Sequence, residues 1–421
     1  MAMRNLTSGT VRVWTGWTLG RVLLVILALG VLRVPHTDVT SDVKVIYQGW
    51  AEVLRTGTFP LDDVTWQYPP LAGLVILLPL WLPGSYFVAF LALVAACDAA
   101  ALGLLLRAGR RGGGRSGAWL WVVTVPLLGP TAYCRFDLVV TLVAIAATLS
   151  LVSRPRLAGV LAGLGAMLKV WPVLVLAGAT PRGHAARRAW TACAVTCAAV
   201  CFGFAVSTHG AFSFLDFQGA RGIEVESLGA LPFYFGSLTG LWHGRVAMHY
   251  GSLEFLGRGV QAVSHVMVGL SLLSLAFLLL WRLRNRLWTA ATVADAALTA
   301  VLLFTVTSRV ISPQYLIWLL GAAAVCLTVP ATRMRPVAWL VAAAAPLTFL
   351  EFPLYFGELV RRSALGTALI SARDLLLLAA ALLACIRLWR TGADAGTAAL
   401  TPPGVPAASP APPARRRATA R

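Results

Sequence analysis

The stretch LAGVLAGLGAMLKVWPVLVLAGAT, Leu157–Thr180, decides how this chain is read. It is long and apolar enough to pass for one membrane span, which needs roughly 20 apolar residues. Yet Arg154 and Arg156 precede it, and Arg182, Arg187 and Arg188 follow it. Basic clusters beside spans mark the cytoplasmic side, so this segment has to leave that side and come back. Its middle, Lys169-Val170-Trp171-Pro172, supplies the turn. Proline lacks an amide donor and disfavours helix in the residue before it. Two half-helices with Lys169 near their tip are predicted. Irregular backbone at that depth is tolerated only against protein or a wet cavity.

The rest of the chain shares this solvent. Of 421 residues, 58% are hydrophobic and 12% charged, with mean hydropathy +0.78. Soluble domains carry about 25% charged residues, so the bilayer has to take up the apolar excess. A net charge of +19 would suggest nucleic acid in a soluble protein. Here the arginines stand in short clusters between apolar runs: Arg107 to Arg115, Arg154 and Arg156, Arg182 to Arg188, Arg282 to Arg286, and Arg333 with Arg335. That is a topological pattern, and no nucleic-acid partner is expected.

The expected fold is all-α, a polytopic membrane helical bundle of about ten full spans with short re-entrant or half-helices. Full spans are placed near 17–34, 85–106, 118–134, 138–153, 189–208, 263–281, 288–307, 314–330, 336–350 and 364–386. Residues 1–16 form a cytoplasmic N-terminus, 17–390 the membrane domain, and 391–421 a disordered, basic cytoplasmic tail rich in Ala, Pro and Arg. The first apolar run lacks a small-residue cleavage site and reads as a retained span. Residues 68–82, opening Tyr68-Pro69-Pro70, read as a half-helix on the outer side, because a full crossing would carry the Arg107–Arg115 loop outside. Two outer loops, 35–67 and 209–262, mix polar and aromatic residues and are expected to fold. The seven cysteines form no Cys-x-x-Cys pair, and His243 and His249 fit no ligand spacing, so neither a metal site nor a cofactor is expected.

On this topology nearly all acids fall outside, among them Asp38, Asp42, Asp137, Glu224, Glu226, Glu351 and Glu358. Acids carry little topological weight, so their gathering on one side points to a polar outer cavity. Asp38 and Asp42 lie just past the first span, where a carboxylate can act as a general base; solvation of an ordinary loop is the plainer reading. Lys169 near mid-membrane is costly and reads as functional, against the alternative that it snorkels. Asp98, Asp295 and Asp374 lie inside spans and receive no role.

The run Asp42…Tyr47…Gly57…Tyr68-Pro69-Pro70-Leu71 resembles the first outer loop of glycosyltransferase family 87. Arg135-Phe136-Asp137, Gly159…Gly163-Leu164-Gly165…Lys169-Val170-Trp171-Pro172, and Ser308-Arg309…Ser312-Pro313-Gln314-Tyr315…Trp318 resemble further family stretches in the same order. The family's members are polytopic GT-C enzymes, typically polyprenyl-phosphate-mannose-dependent mannosyltransferases of cell envelopes. The resemblance implies transfer of a sugar, mannose first, from a polyprenyl-phosphate donor to a glycan or glycolipid acceptor at the outer face of the cell membrane, with inversion. It places the base on Asp42, with Asp38 second. Fixed cations would stabilise the leaving phosphate, and the candidates are Lys169, Arg135, Arg221 and Arg309; substrate contacts are expected from Tyr47, Tyr68, Asp137, Glu226, Gln314 and Tyr315. The rival readings are a transporter or flippase of a lipid-linked sugar, which would favour an internal repeat, and a non-catalytic subunit of envelope assembly.

Overall fold

The computed structural model describes residues 2–32, 37–61, 63–110, 112, 114–181, 184–215 and 222–398, with side chains from Ser8 to Thr391. Arg221 and the tail beyond residue 398 lie outside the described residues. The described chain is mainly helical. Six helices are long and apolar enough to cross a membrane: residues Ser8–Ala28, Tyr86–Gly109, Ala185–Ser207, Val260–Arg284, Arg335–Leu354 and Ala364–Thr391.

The helices run in chain order as α1 Ala2–Ala28, α2 Gln48–Leu54, α3 Leu71–Leu77, α4 Tyr86–Gly109, α5 Ser116–Thr124, α6 Asp137–Ser150, α7 Pro155–Leu168, α8 Ala185–Ser207, α9 Leu231–Leu238, α10 Val260–Arg284, α11 Ala290–Val306, α12 Tyr315–Leu327, α13 Arg335–Phe349, α14 Phe356–Val360 and α15 Ala364–Ala398. The ten expected spans therefore resolve into six long helices and four shorter ones. Proline accounts for one of the short four: after α5, Pro126 and Pro130 turn the chain into a 3₁₀ segment. Helices α11 and α12 are short but lie deepest, with Ala, Leu and Val of both in the main core.

The first span runs Ser8–Ala28, earlier than the expected 17–34, and holds the Arg21 guanidinium within it. That guanidinium is buried and paired with Asp98 of α4. Asp98 also accepts from Trp121 Nε1 at 2.6 Å and Tyr133 Oη at 2.8 Å. A buried charge with a partner and full hydrogen bonding is tolerated where a lone one is not. Asp295 has a structural task as well, accepting from Thr332 Oγ1 and the Arg333 amide ahead of α13.

The segment 68–82 is a short helix, α3, continued by a 3₁₀ turn at Leu78–Trp81. The segment 157–180 breaks where its proline predicts: α7 ends at Leu168, Lys169 is extended, and a 3₁₀ helix follows over Trp171–Gly178. Helix α7 then packs alongside α8. Gly159 and Gly163 of α7 lie on the backbone of Ala189 and Cys193 of α8, with no room for a Cβ at either. The two contacts advance together along both helices, so α7 and α8 run parallel.

The second loop folds over its own apolar centre of Ile223, Val225, Phe233, Tyr234 and Phe255, packed on Met267, Leu359 and Ile370. A three-stranded antiparallel sheet covers it, in the order β1 Ile223–Glu224, β3 Ser252–Leu256, β2 Arg245–His249. Strands β2 and β3 meet in a two-residue turn in which Tyr250 and Gly251 both have positive φ, 46° and 76°, the backbone that matches strand twist.

Connectivity sorts the charges by end of the bundle. Helix α6 runs from Asp137 toward Arg154, and α7 from Arg156 to Lys169. The Arg107–Arg115 turn follows α4, and Arg282 and Arg284 close α10. The starts of α6 and α12 and the end of α7 thus share the end away from these arginines.

Candidate active site

At that end the backbone first fixes two acids differently. Asp38 Oδ1 accepts from the Thr40 amide and hydroxyl, both at 2.8 Å, a turn that launches the π-helical turn Asp42–Tyr47. Asp42 stands at the head of that turn and forms an ion pair with Arg135. Its side chain keeps 30% exposure, against 11% for Arg135. Arg135 also donates to the carbonyls of Cys134 and Val39, at 2.9 and 3.5 Å. Burial pushes its guanidinium pKa down, but Asp42, with Tyr47 and Tyr68, outweighs that and holds it above its usual value. Of the two acids, Asp38 is committed to its turn and Asp42 faces outward beside a fixed cation.

Two residues further on, Asp137 is fully buried. Its Oδ1 accepts from Lys169 Nζ at 2.7 Å and from Trp318 Nε1 at 2.6 Å. Its Oδ2 is buried without a hydrogen-bond partner. Lys169 sits in an aromatic box: its Nζ lies 4.9 Å from the Phe136 ring centre, 5.3 Å from Tyr68 and Trp318, and 5.9 Å from Tyr315. Ring faces attract a cation, more so when it is desolvated. Trp318 is clamped between Tyr315 and Trp171, stacked at 3.8 and 4.9 Å. Four chain segments thus converge on one lysine: the Tyr68 loop, the start of α6, the break after α7 and the start of α12.

Eight of the residues singled out in the sequence fall here or beside it: Asp38, Asp42, Tyr47, Tyr68, Arg135, Asp137, Lys169 and Tyr315. Their arrangement alters several expected roles. Lys169 is paired with Asp137 and Arg135 with Asp42, and the two cations are almost equally buried, at 10% and 11% side-chain exposure. Tyr47 is 2% exposed and packs on Trp50, Phe90 and Phe136. Its ring is a wall of the site, since burial leaves it no face for a substrate. Gln314 is half-buried next to Tyr315, and its side chain makes no hydrogen bond among the described residues.

Glu226 and Arg309 belong to a second polar cluster, under the small sheet. Arg309 reaches Ser264 Oγ at 3.3 Å, and its carbonyl accepts from the Glu224 amide. The Glu226 carbonyl accepts from Arg373 Nη2 at 2.8 Å. Arg373, wholly buried, pairs with Glu351 at 2.8 Å and lies 3.2 Å from Asp374. Adjacent helix residues ordinarily point apart; the long arginine brings its Nε back to its neighbour. Glu226 is held well above the usual carboxylate range by burial first, then by Glu224 and Glu351. No hydrogen bond or ion pair of Asp42 or Lys169 among the described residues reaches this cluster.

Two functional-looking residues carried no distinct signal in sequence. Trp318 was visible only as part of a motif, and its hydrogen bond to Asp137 spans 181 positions. Asp63 braces the first loop, accepting from Trp50 Nε1 at 2.7 Å and from the Thr65 amide at 2.9 Å.

Long apolar helices, with a part-exposed acid beside a fixed cation at one end of the bundle, make this a multi-pass membrane protein with a polar site at that end. The sequence matches glycosyltransferase family 87 over residues 66–313, more than half of the chain, and the protein belongs to that family. The structure is also similar to ArnT from Cupriavidus metallidurans bound to undecaprenyl phosphate, at TM-score 0.47 and 15% identity, covering 94% of this chain and 80% of that one. At that level nothing about the site is carried over. No curated protein matches the sequence.

Proposed function

We propose that this glycosyltransferase takes its sugar from a polyprenyl-phosphate donor at the outer face of the cell membrane and hands it to a glycan or glycolipid acceptor. The observation that carries the reading is the Asp42–Arg135 pair: one part-exposed carboxylate held beside one fixed cation. Asp42 takes the proton of an acceptor hydroxyl. That oxygen bonds to the anomeric carbon as the carbon's bond to the phosphate oxygen breaks, and the lipid phosphate leaves with the electron pair. A single displacement inverts the anomeric centre. Arg135 meets the leaving phosphate, whose charge grows in the transition state and is best stabilised by donors fixed in advance. Lys169, locked by Asp137 and four rings, sets the floor of the site and adds positive potential beneath it. Tyr68 and Tyr315, half-buried on that floor, offer ring faces to a sugar. Mannose is the sugar that the resemblance implies.

The test is transfer by the purified full chain in nanodiscs, offered a panel of polyprenyl-phosphate sugars. Asp42→Asn should lower the rate by about 10²–10⁴-fold, the usual share of a general base, while the melting temperature falls by only a few degrees. Equal rates for variant and wild type would remove Asp42 from the role and pass it to Asp38. A wild type that transfers no sugar but moves labelled lipid across vesicles would establish the transporter reading instead.

A further inference from the structure

The parallel pair α7 and α8 carries a second feature, at the end remote from Lys169. A cleft of about 590 Å³ opens between their first turns. Its rim is Arg156 from α7 and His184, Arg187 and Arg188 from α8. No carboxylate lines it. The rim gives way to a mostly apolar floor of Val160, Ala192 and Val195, with Thr191 and Thr196 beside them. These valines are 36% and 62% exposed. The most apolar stretch of α8 is only 11% buried inside the protein, so this face looks onto acyl chains when the helix stands in a bilayer. Arg156 is thirteen residues before Lys169, roughly 20 Å along the helix axis. The cleft is therefore separate from the candidate active site.

We infer that this cleft holds the head group of an anionic phospholipid. Its phosphate is met by Arg156, Arg187 and Arg188, and one acyl chain lies along Val160 and Val195. Three guanidinium groups offer forked donors to phosphate oxygens. With no acid in the lining, a zwitterionic head group would bring its own ammonium against three cations, whereas an anionic one would not. The apolar floor distinguishes a lipid from a free phosphate, which would use the rim alone. Basic pockets at the ends of membrane helices suit such head groups.

Native mass spectrometry of the full chain, exchanged into phosphatidylglycerol or phosphatidylcholine, tests this. The wild type should retain phosphatidylglycerol at least about tenfold better, as expected of several juxtamembrane cations. The triple variant R156Q/R187Q/R188Q should lose that preference. Val195→Trp, which fills the floor and leaves the charges, should also lower retention and keeps the test open if the triple variant does not purify. Equal retention of the two lipids by the wild type, or unchanged retention in both variants, would overturn the inference. So would equal thermal protection by inorganic phosphate, which would mark the cleft as a site for free anions.

Discussion

The two polar clusters are built on opposite principles. Around Lys169 the charges balance: Asp42 with Arg135, Asp137 with Lys169, and one acid of the four reaching solvent. Around Arg373 they do not. Glu226, Glu351 and Asp374 crowd about the Arg373 guanidinium, and all are buried. Several polar atoms there, including the Tyr234 hydroxyl and the Ser371 Oγ, have no hydrogen-bond partner among the described residues. The first cluster gathers chain ends at one end of the bundle, where a substrate can arrive. The second ties the folded second loop to the last helix. Chemistry needs an accessible group with a fixed neighbour; a fastening needs only burial. Acid count alone does not separate the two, since the richer cluster is the sealed one.

The contrast can be broken most forcefully at Arg373. Arg373→Met removes the cation that pairs with buried Glu351 and lies beside buried Asp374, and loss of one partner of a buried pair costs about 3–5 kcal/mol. Thermal unfolding in detergent should show a large drop. Transfer by whatever folded protein remains should be near normal, because no hydrogen bond or ion pair of Asp42 among the described residues reaches the cluster. A variant that stays stable yet inactive would move the active site to the second cluster. Lys169→Met should also destabilise, by leaving Asp137 with Trp318 alone, but somewhat less, because one acid is stranded instead of two. Pairing it with Asp137→Asn separates fastening from function. The double variant should regain most of the stability and stay slow in transfer if Lys169 supplies potential to the site. Recovery of both would reduce Lys169 to a structural role.

The smallest effect is a pH effect. Glu226 keeps its proton to higher pH in the folded chain than when unfolded. The unfolded chain ionises it near 4.5, so as pH rises past that value the unfolded state is favoured, until the folded group ionises too. Stability from this residue is greatest below that window and declines through it. Glu226→Gln cannot ionise, so its melting temperature should be as high as that of the wild type or a few degrees higher at neutral pH. The slope of melting temperature with pH above 4.5 should also be flatter. A steeper slope would show that Glu226 is ionised in the folded protein.

Much of the first cluster was legible in sequence because each part is local. Pro172 announces the break at Lys169, Pro69 and Pro70 announce the short helix after Tyr68, and the arginine clusters say which end is which. The pairings were not legible. Nothing near Lys169 in sequence names Asp137 as its partner, 32 positions away. The second cluster was less legible still. Its contacts link Arg373 to Glu351 across 22 positions and to Glu226 across 147, and only the folded second loop brings them together. Span counting failed where burial replaced length. Helix α12 is 13 residues long and apolar throughout, so its composition announces a crossing that its length does not supply by itself.

The Arg21–Asp98 pair sets a clock on biosynthesis. The two residues are 77 positions apart, and a ribosome adds about 5–20 residues per second. Arg21 therefore waits roughly 4–15 s after its own synthesis before its acid exists. Throughout that interval the first helix carries an unmatched guanidinium, which an insertion machine meets as roughly 2.5–3.5 kcal/mol of resistance. The helix becomes content in the bilayer only when α4 arrives beside it, so the start of the chain is finished by a residue made well after it.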